Sequence, residues 1–171
     1  IPIEAALMAS NVPPGSHRSF SFQRFPNYKP DIWQHTYEVS LSQHIKCDAA
    51  IIGADRDAKV IGMAQENAER AGVAGLTSFE CKLLSGWAPT PSPGWIVTNP
   101  PYGTRISGNQ DIRALYNHIG GALRQNFPGW NVAYLANDEK IASLTRLQFS
   151  KGVSMNNGGI PVKLSIAKVP A

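Results

Sequence analysis

The sequence has little cysteine, few acids and no long apolar run. Cys47 and Cys81 are the only two thiols. They have neither metal-ligand spacing nor the density of a disulfide scaffold, so a covalently stapled secreted fold is excluded as the main source of stability, and a reduced, cytoplasmic setting is expected. No apolar stretch approaches the length that spans a bilayer, although 43% of the 171 residues are hydrophobic. A charged-then-apolar leader with a small-residue cleavage site is also missing, so no secretion signal is expected. Acids are outnumbered by bases, 12 against 16, which gives a net charge of +4. That balance suits a polyanionic partner and equally fits a mildly basic soluble protein. The four histidines, His17, His35, His44 and His118, share no spacing that suggests a metal site, and none is expected.

At this length the chain reads as one domain, residues 1–171, with no internal repeat or low-complexity tract. Ile1 to Ala9 predicts a helix with proline in its first turn. Asn11 to Pro30 is irregular, its His17, Arg18, Arg24 and Lys29 interleaved with Phe20, Phe22, Phe25 and Tyr28. A helix is expected over Asp31 to Ser42. Ala49 to Asp55 reads as a buried parallel strand ending in an acid, followed by Asp57 as a helix cap and a helix over Ala58 to Ala71. Strands are expected at Leu76 to Leu84 and Trp95 to Thr98, then an amphipathic helix from Asp111 to Asn126. Another strand, Trp130 to Ala136, is followed by a short helix from Asp138 to about Leu147. Two closing strands, Phe149 to Met155 and Val162 to Val169, flank Asn156-Asn157-Gly158-Gly159, a hairpin signature. Alternating strands and helices that end in a hairpin predict a doubly wound α/β sheet with an antiparallel edge.

Chemistry is concentrated at Asn99-Pro100-Pro101-Tyr102, which follows the apolar strand Trp95-Ile96-Val97-Thr98. In open α/β sheets, ligands bind at the carboxyl ends of strands. A nucleobase exocyclic amine is a poor nucleophile because its lone pair is delocalised into the ring. An Asn side-chain oxygen and the Pro100 carbonyl can accept its two hydrogens and localise that lone pair on nitrogen. Pro100 and Pro101 stiffen the loop so that both acceptors hold their aim. Tyr102 offers a flat ring for an extruded base. The tetrad also fits a plain Pro-Pro turn closing a strand. Asp55, at a strand end directly before a helix, can accept from both vicinal hydroxyls of a ribose. Between Asp55 and Asn99 lies one strand–helix–strand passage, so both are expected to face one cleft. Arg105 is a candidate contact to a phosphate or to the flipped base. The aromatic-basic segment holding Arg18 and Arg24 is a candidate RNA surface whose phenylalanines also read as a lid on the sheet. Cys81 is expected to point inward to the core. Gly120-Gly121 has no preceding strand and reads as close helix packing rather than as a phosphate loop.

Four stretches, IPIEAALMASNVPPGSHRSF, IIGADRDAKVIGMAQENAERAGV, VTNPPYGTRI and FPGWNVAYL, cover most of the chain. In them it resembles the catalytic domain of the bacterial S-adenosylmethionine-dependent methyltransferases that modify a guanine N2 amine of large-subunit (23S) ribosomal RNA. The tetrad alone is shared with adenine-N6 and glutamine methyltransferases; the first stretch narrows the match. The resemblance implies a Rossmann-like class I methyltransferase fold, S-adenosyl-L-methionine as cofactor and RNA as partner. It places Asn99, Pro100, Pro101 and Tyr102 at the reacting amine and Asp55, with Arg56 beside it, at the cofactor. Relatives often carry an Asp at the end of the second strand to receive the adenine amine. Here Cys81-Lys82-Leu83-Leu84-Ser85 has none, which leaves Ser85, backbone carbonyls or apolar contact alone to recognise the adenine. The family also has a glycine-rich loop of Asp-Pro-x-Cys-Gly-Ser-Gly-Thr type just before the IPIEAA helix, and this sequence starts after it. The chain is therefore expected to be a piece of a longer protein whose first, central strand is absent. An adenine-N6 methyltransferase of DNA or RNA and a catalytically silent RNA-binding domain stay open as alternatives.

Overall fold

The computed structural model describes residues 1–87, 93–101, 109–137 and 139–171. Among these the chain forms two compact units, Ile1–Lys82 and Leu83–Ala171.

The first unit holds helix α1 (Pro2–Ala9), a single 3₁₀ turn at Ser21–Arg24, helix α2 (Pro30–Ser42), strand β1 (Ile51–Asp55), helix α3 (Ala58–Arg70) and strand β2 (Thr77–Cys81). Strands β1 and β2 run parallel, in a register from Ile51 opposite Thr77 to Asp55 opposite Cys81. A small core of Ala6, Ala68 and Val73, with Ile3, Leu7, Ile51, Leu76 and Phe79 packed around it, joins α1 and α3 to this pair. The capping expectation is met: Asp57 accepts from the Lys59 backbone N–H at 2.8 Å, which satisfies one of the orphan donors of α3.

Three readings of this unit change. Strand β2 is shorter than the sequence suggests, because it pairs only along the five residues of β1. Of β1 itself only Gly53 is buried, so the expected fully buried strand is half covered. Cys81 is exposed rather than in the core. It is the last paired residue, opposite exposed Asp55, and its thiol donates to the Arg56 carbonyl at 3.5 Å.

The second unit is a four-stranded sheet in the order β3 (Trp95–Thr98), β4 (Asn131–Ala136), β6 (Ile160–Lys168), β5 (Val153–Asn157). Strands β3 and β4 are parallel, whereas β4–β6 and β6–β5 are antiparallel. The antiparallel edge and the hairpin therefore stand as read. Gly158 and Gly159 both have positive φ, +60° and +86°, as a two-residue primed turn requires. The Asn156 side chain accepts from Gly159 N–H at 2.7 Å and fixes that turn.

Helix α4 (Asn109–Asn126) lays Ile112, Tyr116, Ile119 and Leu123 on one sheet face, against Val132, Tyr134 and Ala136 of β4. These side chains recur at helical spacing on α4 and at every second position on β4, so one pattern serves the other. The short helix α5 (Glu139–Ala142) and a 3₁₀ turn at Ser143–Thr145 close the unit. The apolar run of β3 is not buried on both sides. Trp95 and Val97 are 57% and 51% exposed, because α4 covers only the face to which Ile96 points. Two apolar sets alternating on one strand are the pattern of two-sided burial, and within this unit one side is open.

Candidate functional site

Asn99 leaves the carboxyl end of β3, one residue past Thr98, which pairs with Tyr134 of β4. Its side chain is exposed, the next residue Pro100 is buried, and Pro101 is exposed again. An exposed amide thus stands beside a buried proline, whose fixed φ stiffens the backbone that carries the amide. The sequence placed this loop correctly. Tyr102 and Arg105 lie outside the described residues.

Behind the loop is a pair of tyrosines that the sequence reading passed over. Tyr116 of α4 is fully buried, and its hydroxyl donates to the Pro101 carbonyl at 3.5 Å, the long limit of such a bond. Its ring meets that of Tyr134 edge-on, with centroids 5.7 Å apart. Burial, with the Tyr116 phenol beside it, holds the Tyr134 phenol well above the ordinary tyrosine range. The available signal was a Tyr, rather than a Phe, at an apolar-face position of α4, since a buried hydroxyl needs a partner. Removing the Tyr116 hydroxyl tests its hold on the loop. Tyr116→Phe is expected to cost about 1 kcal/mol of stability, the worth of one hydrogen bond, read as a lower Tm in a thermal melt. An unchanged Tm would show that the loop holds itself.

In the first unit, Asp55 ends β1 with its carboxylate exposed. One oxygen accepts from the Asp57 backbone N–H at 2.9 Å, which fixes the carboxylate's orientation at the strand end. Asp57 in turn caps α3, so the two acids divide orientation and capping as their positions suggest. An oriented, accessible carboxylate has the acceptor chemistry that a vicinal diol requires. Arg56 follows it, its carbonyl engaged by the Cys81 thiol. Ser85 lies in the second unit in an exposed 3₁₀ turn, Leu84–Gly86; its carbonyl accepts from the Asn126 amide at 2.9 Å, which ties the turn to the end of α4.

Arg18 and Arg24 are both exposed. The Arg18 guanidinium lies 4.3 Å from the Phe20 ring centroid, and Arg24 ends the 3₁₀ turn. The phenylalanines do not fulfil the expectation of a lid on the sheet. Phe20 and Phe22 pack edge-on against Trp33 of α2, at 5.5 and 5.1 Å, and the Tyr37 hydroxyl ties the segment down at the Ser16 carbonyl, 3.0 Å away. Among the described residues no group of three or more His, Cys, Asp or Glu could hold a metal ion, and no helix is long and apolar enough to cross a membrane.

Comparison with known proteins bears on what this geometry does. Residues 1–166 match the family described as UPF0020, RMKL-like, methyltransferase domain. A ribosomal RNA large subunit methyltransferase K/L of Shewanella baltica is 33% identical over 169 residues, 96% of this chain and 24% of that protein. The chain thus spans about a quarter of the length of the curated relatives it matches. Among solved structures, SMU.472 in complex with SAH superposes with a TM-score of 0.90 at 24% identity, covering 99% of this chain and 45% of the other. A Listeria monocytogenes protein described as a predicted N6-adenine-specific DNA methylase gives a TM-score of 0.79 at 27% identity, covering 96% and 43%. The fold is accordingly the class I methyltransferase α/β fold, as the resemblance implied.

Proposed function

Because this chain belongs to the RMKL-like methyltransferase domain family, we propose that it transfers a methyl group from S-adenosylmethionine to the exocyclic N2 amine of a guanine in RNA, with large-subunit ribosomal RNA as the substrate. One observation carries this reading: the exposed Asn99 amide at the end of β3, braced by buried Pro100. The reading takes residues 1–171 as one catalytic domain, in keeping with a family match that runs through both units.

The roles follow from the groups. Asn99 Oδ1 and the Pro100 carbonyl accept the two amine hydrogens and free the nitrogen lone pair for attack. Pro101, its carbonyl engaged by Tyr116, keeps the loop in place. Tyr102 stacks on the extruded guanine. Asp55 accepts from the cofactor ribose hydroxyls, Arg56 lies beside it, and Ser85 receives the adenine amine through its side chain. When bound, the sulfonium supplies an electrophilic methyl. Asn99 and the Pro100 carbonyl would hold the amine lone pair toward that methyl, and the proton that the amine loses would pass to solvent. Little base catalysis is needed, so most of the rate comes from alignment within near-attack distance. Arg18, Arg24 and Arg105 supply phosphate contacts.

The two acids give a paired test. Asp55→Ala is expected to weaken cofactor binding about 10- to 100-fold, as loss of charge-assisted hydrogen bonds does. Asp57→Ala is expected to cost about 1 kcal/mol of stability, the worth of an N-cap, with cofactor affinity kept. Titration calorimetry and thermal melts separate the two. An Asp55→Ala variant that binds as the parent does would remove Asp55 from the ribose.

The second reading, adenine-N6 methylation, is favoured by the likeness to the Listeria protein. Nucleoside analysis after incubation with isotopically labelled cofactor and, separately, unmodified ribosomal RNA, transfer RNA and DNA decides between them. Labelled N2-methylguanosine from ribosomal RNA is the expected product. Labelled N6-methyladenosine or its deoxy form would establish the second reading, and no label from folded protein would leave an RNA-binding domain.

A further inference from the structure

A concavity of about 380 Å³ opens between the irregular segment and the first turns of α2, lined by Phe22, Phe25, Tyr28, Lys29, Ile32 and Trp33, with Asn27 and Thr36 beside them. Its floor is built. Phe22 packs against Trp33 at 5.1 Å and against Tyr28 at 6.0 Å, and Trp33 stacks on Tyr37 at 6.1 Å. The rim is open: Phe25 is 58% exposed and Ile32 61%. A contiguous apolar patch with a charged rim marks a surface that binds something.

Charge narrows what that is. Between Pro13 and Tyr37 the chain has Arg18, Arg24 and Lys29 but only one acid, Asp31. Lys29 lines the concavity, and Arg24 precedes Phe25 in the chain. Arg18 lies over Phe20, which stacks on Phe22 at 5.6 Å. Cations around a cluster of aromatic faces form the combination that holds a single strand, with the base on a ring and the phosphate on a cation. The Asn27 amide carries both a donor and an acceptor for a base edge.

We propose that this concavity is a second nucleobase subsite, which stacks one unpaired nucleotide of the RNA while Lys29 and Arg24 hold the flanking phosphates. The proposal rests on the RNA reading above and extends it. The subsite holds a nucleotide other than the one that is methylated, and it selects single-stranded over duplex RNA.

The test measures binding of a short labelled single-stranded RNA of mixed sequence, and of the same sequence as a duplex, to the full chain and two variants over a salt series. Phe25→Ala is expected to weaken single-strand binding about 10-fold or more, within the range of a lost stacking contact, and to leave the salt slope alone. Lys29→Gln is expected to reduce that slope by about 0.7, one phosphate on a single strand. Phe25 is on the surface, so circular dichroism of Phe25→Ala should match the parent. Parent-like single-strand affinity of Phe25→Ala, or equal dependence of duplex binding on Phe25, would overturn the subsite and leave RNA recognition in place. A change in sedimentation of Phe25→Ala without a change in RNA affinity would make the patch a protein interface, and would also overturn it. Failure of the parent chain to bind RNA would instead overturn the RNA reading beneath it.

Discussion

Asn99→Ala is expected to lower kcat by about 100- to 1000-fold, the usual loss when one preorganised hydrogen-bonding group is removed from a reacting centre. Its thermal stability should stay within about 0.5 kcal/mol of the parent, since an exposed side chain at a strand end leaves no cavity behind. The two expectations together make the test sharp. A structural Asn would cost stability, and a residue that only binds substrate would raise KM with kcat kept. If Asn99 aligns the amine only as the methyl moves, the loss falls on kcat, and single-turnover methyl incorporation at saturating cofactor measures it directly. Asn99→Asp sharpens the argument further. A carboxylate still accepts amine hydrogens, so this variant should retain more turnover than the alanine. Near-normal turnover of Asn99→Ala would remove the proposed chemistry altogether. Asp55 should fail differently, through cofactor affinity, because the ribose contact proposed for it is to a part of the reactants that does not change in the reaction.

The elements that place Asn99 were readable because their signals are local. Trp95-Ile96-Val97-Thr98 is a strand between residues as read, Asp57 caps α3 as read, and the two glycines after Asn157 turn the hairpin. Each rests on propensity or on a single hydrogen bond within a few residues. The sequence was silent where the determinant is tertiary. A tyrosine on the apolar face of α4 says locally that a hydroxyl needs a partner, but not which one; that partner is Pro101, fifteen positions away. Phe20 and Phe22 of the irregular segment could have packed on any surface, and Trp33 of α2 is the one they meet. Cys81 follows the alternation of its strand, but the strand has run out of cover at that point. An alternation rule assigns faces; it does not say how far the opposing layer extends.

Gly120 and Gly121 put the same lesson into a second large effect. The sequence presents them as one pair inside a helix, where either glycine costs about 1 kcal/mol relative to alanine. The structure separates them. A methyl group on Gly120 would press on the Thr145 carbonyl oxygen and stand 2.5 Å from the Thr145 Cα and 2.6 Å from its carbonyl carbon. Those are backbone atoms, and they cannot swing aside. Thr145 is fully buried, its hydroxyl donates to Ala142 O at 2.8 Å, and the Arg124 guanidinium donates to its carbonyl. A methyl group on Gly121 meets no atom within 4 Å. Gly121→Ala is therefore expected to stabilise by about 0.5–1 kcal/mol, through helix propensity alone. Gly120→Ala is expected to destabilise by about 2 kcal/mol after that gain is subtracted, because the atoms met are backbone and put the cost at the top of the usual range of about 1–3 kcal/mol for overpacking. For a domain of this size that difference corresponds to a fall in Tm of roughly 4–8 °C for Gly120→Ala and a rise of a few degrees for Gly121→Ala. Two melts suffice. If both alanines raise Tm, the approach of α4 to Thr145 relaxes at little cost, and the close packing at Gly120 is not what holds the 3₁₀ turn against the helix.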